Sequence, residues 1–133
     1  MDKTTWPAFP ARRGVDLGDE VWLSPYRPRH DETVTFHVHR IYRAGTEIGT
    51  IDYQVCHACR TALIGELDLS EQVRRHGIGT RVLDQLRRDL PNYRWAITPE
   101  KPAARPFWDW IRAAHPGEYG LGGRPLGCAH LLF

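Results

Sequence analysis

Four groups of side chains in this sequence have types and spacings that can do chemistry. Cys56-x-x-Cys59 offers half of a tetrahedral zinc site, and Cys128 with His130 near the end of the chain could supply the other half. Nothing in the sequence brings those two segments together. The reading taken is therefore two reduced turn thiols with no metal assigned, and zinc at Cys56 and Cys59 stands as the alternative. His37-x-His39 puts two imidazoles on one face of an extended segment, but no third ligand stands beside them. Hydrogen-bonded or solvated strand histidines are the simpler reading. Glu66 and Asp68 alternate along a strand pattern and are the candidate catalytic carboxylates, since a carboxylate can take a proton from a nucleophile. The competing reading pairs them with arginines of a neighbouring strand.

The fourth group is the run Leu67-Asp68-Leu69-Ser70-Glu71-Gln72-Val73-Arg74-Arg75-His76-Gly77-Ile78-Gly79-Thr80. A strand ends there, an Arg-rich turn follows, and a helix begins on two glycines. The first turn of a helix leaves backbone N–H groups unpaired at the positive end of the dipole, and Gly77 and Gly79 let an anion approach that backbone. The segment therefore suits a diphosphate. Its spacing is neither that of a P-loop, which needs Gly-Lys-Ser/Thr, nor that of a dinucleotide fingerprint, which needs a third glycine.

The elements that must position these groups follow from periodicity. Residues 1–30 carry Pro7, Pro10, Pro25 and Pro28 and read as an arm with at most one short strand, near Glu20 to Ser24. The rest, 31–133, reads as one domain. From Thr33 to Tyr42, Val34, Phe36 and Val38 alternate with Thr35, His37 and His39; after the Ala44-Gly45 turn, Ile51, Tyr53 and Val55 repeat the period of two. A turn at His57 to Arg60 leads into a third strand, Ala62 to Ser70. The period then changes: Ile78, Val82, Leu83, Leu86 and Leu90 share one helical face, and the helix stops before Pro91. Tyr93 to Thr98 reads as a buried strand, and Pro102 opens a second helix reaching His115, with Ala104, Phe107, Trp108 and Ile111 inward. A strand–helix–strand crossover of this length makes its two strands parallel. Cys128 to Phe133 is expected to be the last strand. The fold class is α/β: a mostly antiparallel sheet with one parallel pair, flanked by two helices.

Arg74-x-x-Gly77-x-Gly79, between a strand and an amphipathic helix, resembles the pyrophosphate-binding motif of the GCN5-related N-acetyltransferases (GNAT). Ala104-x-x-Phe107-Trp108 is similar to that family's second block, Asn-x-x-Ala-x-x-Phe-Tyr, and the two blocks span about Ala62 to His115. The resemblance implies a sheet splayed at the end of the strand Ala62 to Ser70. It also implies acetyl-coenzyme A or another acyl-CoA as co-substrate and acyl transfer to an amine by direct attack. Carried over, Leu67, Asp68 and Leu69 bind the pantetheine arm and Arg74, Arg75, His76, Gly77, Ile78, Gly79 and Thr80 hold the pyrophosphate. Trp108 lies at the thioester end, and Glu66 or Asp68 acts as base or amine-binding group. Three departures stand out: Lys101 replaces the Asn, Trp108 replaces the Tyr that protonates the leaving thiolate, and the two helices the family places between its first strands have no room here.

The departures recommend two alternatives: a non-catalytic binding or assembly protein of the same fold, or an acyltransferase with a protein acceptor or an aminoacyl-tRNA donor. The 133 residues, 41% hydrophobic and 26% charged, suit one folded domain. A net charge of +2 is no nucleic-acid footprint by itself, although 16 of the 18 basic residues are the phosphate-gripping Arg. Three cysteines cannot all pair, and no segment is long and apolar enough to span a membrane, so a cytoplasmic location is expected. The exposed aromatic arm makes a homodimer an open expectation. Trp95, Trp108 and Phe107 suit core positions and, given the resemblance, are read as packing around the cofactor's thioester end, with Trp110 at the surface.

Overall fold

Ala44 and Gly45, with φ of 50° and 84°, close a two-residue turn between strands β3 (Val34–Arg43) and β4 (Thr46–Cys56). Both central residues lie at positive φ, the turn whose twist matches paired strands, and so short a connection makes the pair antiparallel. The computed structural model describes residues 14–27, 32–70, 77–98, 101–121 and 128–131. Its seven strands form one sheet in the order of the chain: β1 (Val15–Gly18), β2 (Val21–Leu23), β3, β4, β5 (Thr61–Leu69), β6 (Arg94–Ile97) and β7 (Gly120–Leu121). Helix α1 (Ile78–Asp89) separates β5 from β6, and a 3-10 turn over Pro102–Ala104 runs into α2 (Arg105–Ala114). As the crossover demands, β5 and β6 are parallel, from Thr61↔Arg94 to Ile64↔Ile97.

The chain divides into two compact units, residues 1–28, 38–51 and 67–90 in the first and 29–37, 52–66 and 91–133 in the second. In the first, Val21, Leu23, Ile41 and Ile51 from the strands and Ile78, Val82, Leu83, Leu86 and Leu90 from α1 are buried. The helical residues are those that the 3.6-residue period selects. Burying each side chain of this size contributes roughly 1.5–3 kcal/mol. Arg81 on α1 bonds the Asp19 carboxylate at 2.6 Å and the Leu17 carbonyl at 3.4 Å. In the second unit Ala62, Leu63 and Ile64 of β5, Trp95, Ala96 and Ile97 of β6, and Trp108 and Ile111 of α2 form the core, with Tyr53 and Tyr119.

Two expectations are corrected, and the buried face of β3 is identified. The proline-rich arm holds two strands, because Gly18, Asp19 and Glu20 all take positive φ and the Asp16 carboxylate accepts the Gly18 N–H at 2.8 Å, folding residues 15–23 into a hairpin before Pro25. Among the described residues the last strand is Gly120–Leu121, parallel to Ala96–Ile97; Cys128–Leu131 is a bend, and residues 122–127 and 132–133 lie outside the described residues. On β3 the polar face is the buried one. Thr35, His37 and His39 are at most 8% exposed, whereas Phe36 and Val38 are 62% and 69% exposed. The period of two holds, and the buried face carries hydrogen-bonded polar groups together with Ile41.

Candidate functional site

In the first unit a candidate group is built from backbone. Gly77 caps α1 at φ 70° and ψ 12°, a left-handed conformation that glycine adopts without cost, and a Cβ there would meet nothing within 4 Å. The Arg81 N–H is the first to bond back into the helix, to the Gly77 carbonyl at 3.2 Å. Among the described residues no side chain caps the helix, and its first turn holds no acidic residue. The N–H groups of Ile78, Gly79 and Thr80 thus stand at an open, positive helix end that fits a diphosphate. Arg74, Arg75 and His76 lie outside the described residues. Upstream, Leu67 and Leu69 of β5 turn inward to different degrees and Asp68 is exposed. Gly49 of β4 lies so close to β5 that a Cβ would collide with the Asp68 carbonyl.

The second unit carries a separate group, made of side chains. The β5–β6 ladder is extended by Thr98, whose N–H bonds the Ile64 carbonyl at 3.0 Å and whose hydroxyl bonds the Gly65 carbonyl at 2.8 Å. β5 then continues to Leu69 after β6 has ended. Where the ladder stops, Glu66 pairs with Lys101 Nζ at 2.9 Å. The expected arginine partner is thus a lysine, from the position where the resembling family often has Asn. Beside Glu66, Asp52 of β4 lies over Gly65, whose missing Cβ leaves the space for its carboxylate. Burial first, and then the charge of Glu66, push the Asp52 carboxyl above the usual carboxylate range, while a hydrogen bond from the Glu66 backbone N–H opposes them.

Sequence reasoning missed Asp52 and gave Lys101 no role. The signal for Asp52 was an acid between the strand residues Ile51 and Tyr53, opposite a glycine four residues into β5. Trp108 is 5% exposed, edge-on to Phe107 at 5.0 Å and tilted on Tyr119 at 5.8 Å. It sits in the core, as its helical face requires.

A third group assembles at the other end of β5. The turn His57 to Arg60, closed by Arg60 at φ 56°, presents Cys56 and Cys59 together. Cys128 and His130 meet them, and the four potential ligand atoms lie within 4.8 Å of one another. All three cysteines are free thiols. Hydrogen bonding to Cys128 and then to Cys56 pushes the Cys59 thiol up to about 12. Burial works to raise Cys128, but the hydrogen bonds directed at its sulfur, among them that of the His130 N–H at 3.4 Å, hold it at about 6. The cluster could hold a metal ion.

The histidine pair does not join it. His37 Nε2 bonds the Thr35 hydroxyl at 2.7 Å and its ring stacks on Tyr53 at 5.1 Å. His57 bonds the same hydroxyl at 3.1 Å and Tyr93 at 2.9 Å. His39 Nδ1–H donates to the Ser24 carbonyl at 2.6 Å. Each of these histidines is hydrogen-bonded within the fold.

No protein-family model and no curated protein sequence matches the chain. Solved structures do. An acetyltransferase from Thermus thermophilus is 16% identical, with 57% of this chain and 52% of that one covered at a TM-score of 0.50. YhhK from Escherichia coli, described as an N-acetyl transferase and bound to coenzyme A, is 16% identical over 68% of this chain and 69% of that one, with a TM-score of 0.50. An aminoglycoside acetyltransferase from an uncultured soil metagenomic sample, in complex with sisomicin, is 14% identical over 74% and 64% at 0.51. The chain spans about half the length of the first of these. The likeness establishes the fold: this is the mixed, GNAT-like sheet with two helices, and its parallel part is β5, β6 and β7 where a single parallel pair was expected. Among the described residues no helix precedes Ile78, and no helix is long and apolar enough to cross a membrane.

Proposed function

We propose that the chain is an acyl-CoA-dependent N-acyltransferase. The observation that carries this reading is the uncapped start of α1 at a left-handed glycine, directly downstream of the strand that outruns its parallel partner, in a fold shared with acetyltransferases. Bound acyl-CoA would supply an activated thioester. The N–H groups of Ile78, Gly79 and Thr80, with Arg74, Arg75 and His76, hold its diphosphate, and the main chain of Leu67, Asp68 and Leu69 binds the pantetheine arm.

Glu66 binds the incoming amine. The ion pair with the Lys101 ammonium at 2.9 Å supports this role, since a substrate ammonium could take the same place. Asp52, raised by burial, is the nearby carboxylate suited to take the proton the amine must lose; Asp68, exposed on β5, is the other acid available for that step. Trp108 has no proton to give, so water protonates the departing sulfur. The acceptor is a small-molecule or protein amine.

Thr80→Asp tests the reading. A carboxylate at the third helical position favours the helix but repels a diphosphate. Binding of coenzyme A, measured by calorimetry, should weaken on the order of tenfold or more while the melting temperature holds or rises. Unchanged binding would refute the cradle. If binding is lost as expected but no amine is acylated by the wild-type chain, a non-catalytic coenzyme A-binding protein replaces the enzyme.

A further inference from the structure

Cys56, Cys59, Cys128 and His130 are required by no step of acyl transfer, yet residues seventy positions apart converge on one point. Sγ of Cys56, Cys59 and Cys128 lie 3.4, 3.5 and 3.7 Å from the single Nδ1 of His130. An imidazole nitrogen carries either one proton or one lone pair, in the ring plane, so it can satisfy one sulfur and not three. Three near-equal distances from one atom are instead what each vertex of a tetrahedron sees. A zinc ion with bonds of about 2.3 Å to sulfur and about 2.0–2.1 Å to nitrogen has S···N edges of about 3.5–3.6 Å. The observed distances scatter around that value.

The outer contacts agree. The Cys59 N–H points at Cys56 Sγ and the His130 N–H at Cys128 Sγ, both at 3.4 Å. Backbone donors so placed stabilise thiolate charge and orient the ligands. Cys56 and Cys128 are buried with Leu63, Ala96 and Leu131, whereas Cys59 is half-buried and His130 exposed, which leaves an ion a way in.

We propose that the turn Cys56–Cys59 and the segment Cys128–His130 form a Cys3His site for one zinc ion. Three soft thiolates and an imidazole select zinc over magnesium or calcium, and four protein ligands close the coordination sphere. The ion is therefore structural. It pins Cys128–Leu131 onto the turn that enters β5, a task that neither strand pairing nor a disulfide performs there.

The purified full-length chain, expressed with zinc in the medium, should carry one zinc per chain by elemental analysis and native mass spectrometry. Exchanged with cobalt(II), it should give the intense visible bands of a tetrahedral thiolate site. Cys59→Ser replaces a half-buried thiol at little packing cost. It should weaken zinc binding on the order of a hundredfold or more, since even outer contacts reach that scale. His130→Cys should keep one ion and strengthen the sulfur-to-cobalt absorption. Chelation should lower the melting temperature of the wild-type chain and leave that of Cys59→Ser unchanged. A chain that takes up neither zinc nor cobalt, a six-coordinate cobalt spectrum, binding unaffected by Cys59→Ser, or two of the three thiols found as a disulfide would each overturn the site.

Discussion

The two ends of β5 are built on opposite plans. Thr61 to Ile64 are at most 1% exposed, buried on both faces, and the thiols of the preceding turn converge beside them through side chains alone. Gly65 to Asp68 are exposed or half-buried and carry both acids, and the candidate cofactor cradle downstream is made of backbone N–H groups. A strand sandwiched between parallel and antiparallel neighbours can be apolar on both sides; where its parallel partner ends, it can carry charge and offer main chain to a ligand. One strand thereby holds a core and a site.

The largest expected effect tests this division. Leu63→Ala should cost about 2–5 kcal/mol in urea unfolding, because it opens a cavity in the buried half, while Asp68→Ala should stay within about 0.5 kcal/mol. Equal losses would mean that the two halves do not differ in packing.

Glycines sharpen the contrast. A Cβ on Gly49 collides with the Asp68 carbonyl, which is backbone and cannot turn aside, so Gly49→Ala should cost about 1–3 kcal/mol. A Cβ on Gly65 collides with the far end of Asp52, which can rotate away. Gly65→Ala should therefore lose less stability and more acyl transfer. The proposed roles of Asp52 and Gly65 fail if Gly65→Ala keeps full kcat/KM.

The smallest effect is one of pH. Burial first of all lowers the pKa of His39, against the Ser24 carbonyl and Asp89, which raise it. Near and below the ordinary histidine pKa of about 6.5 the unfolded chain then binds more protons than the folded one, so stability falls as pH drops through that value. The melting temperature should decline between pH 7.5 and pH 5.5, and His39→Asn should flatten part of that slope. A wild-type slope that His39→Asn leaves intact would assign the proton to another group.

Much of this was legible without coordinates. The face of α1, the β3–β4 hairpin and the glycine at which α1 starts are local patterns of a few residues, and the parallel β5–β6 pair follows from the length of its crossover. What failed was anything set by distant neighbours. The alternation of β3 does not say which face is buried until His37 is seen stacked on Tyr53 and His39 bonded to Ser24. Asp52 reads as an ordinary strand acid until Gly65 is found beneath it.

The cysteines mark the limit most clearly. The sequence by itself determined that Cys56 and Cys59 share a turn and that Cys128 and His130 stand two residues apart, because the chain's own bonds hold each pair. Only the tertiary structure decided that the pairs meet, because Cys128 and His130 reach the turn through the packing of Leu131 and Cys128 against Leu63 and Ala96, and through no rule of spacing.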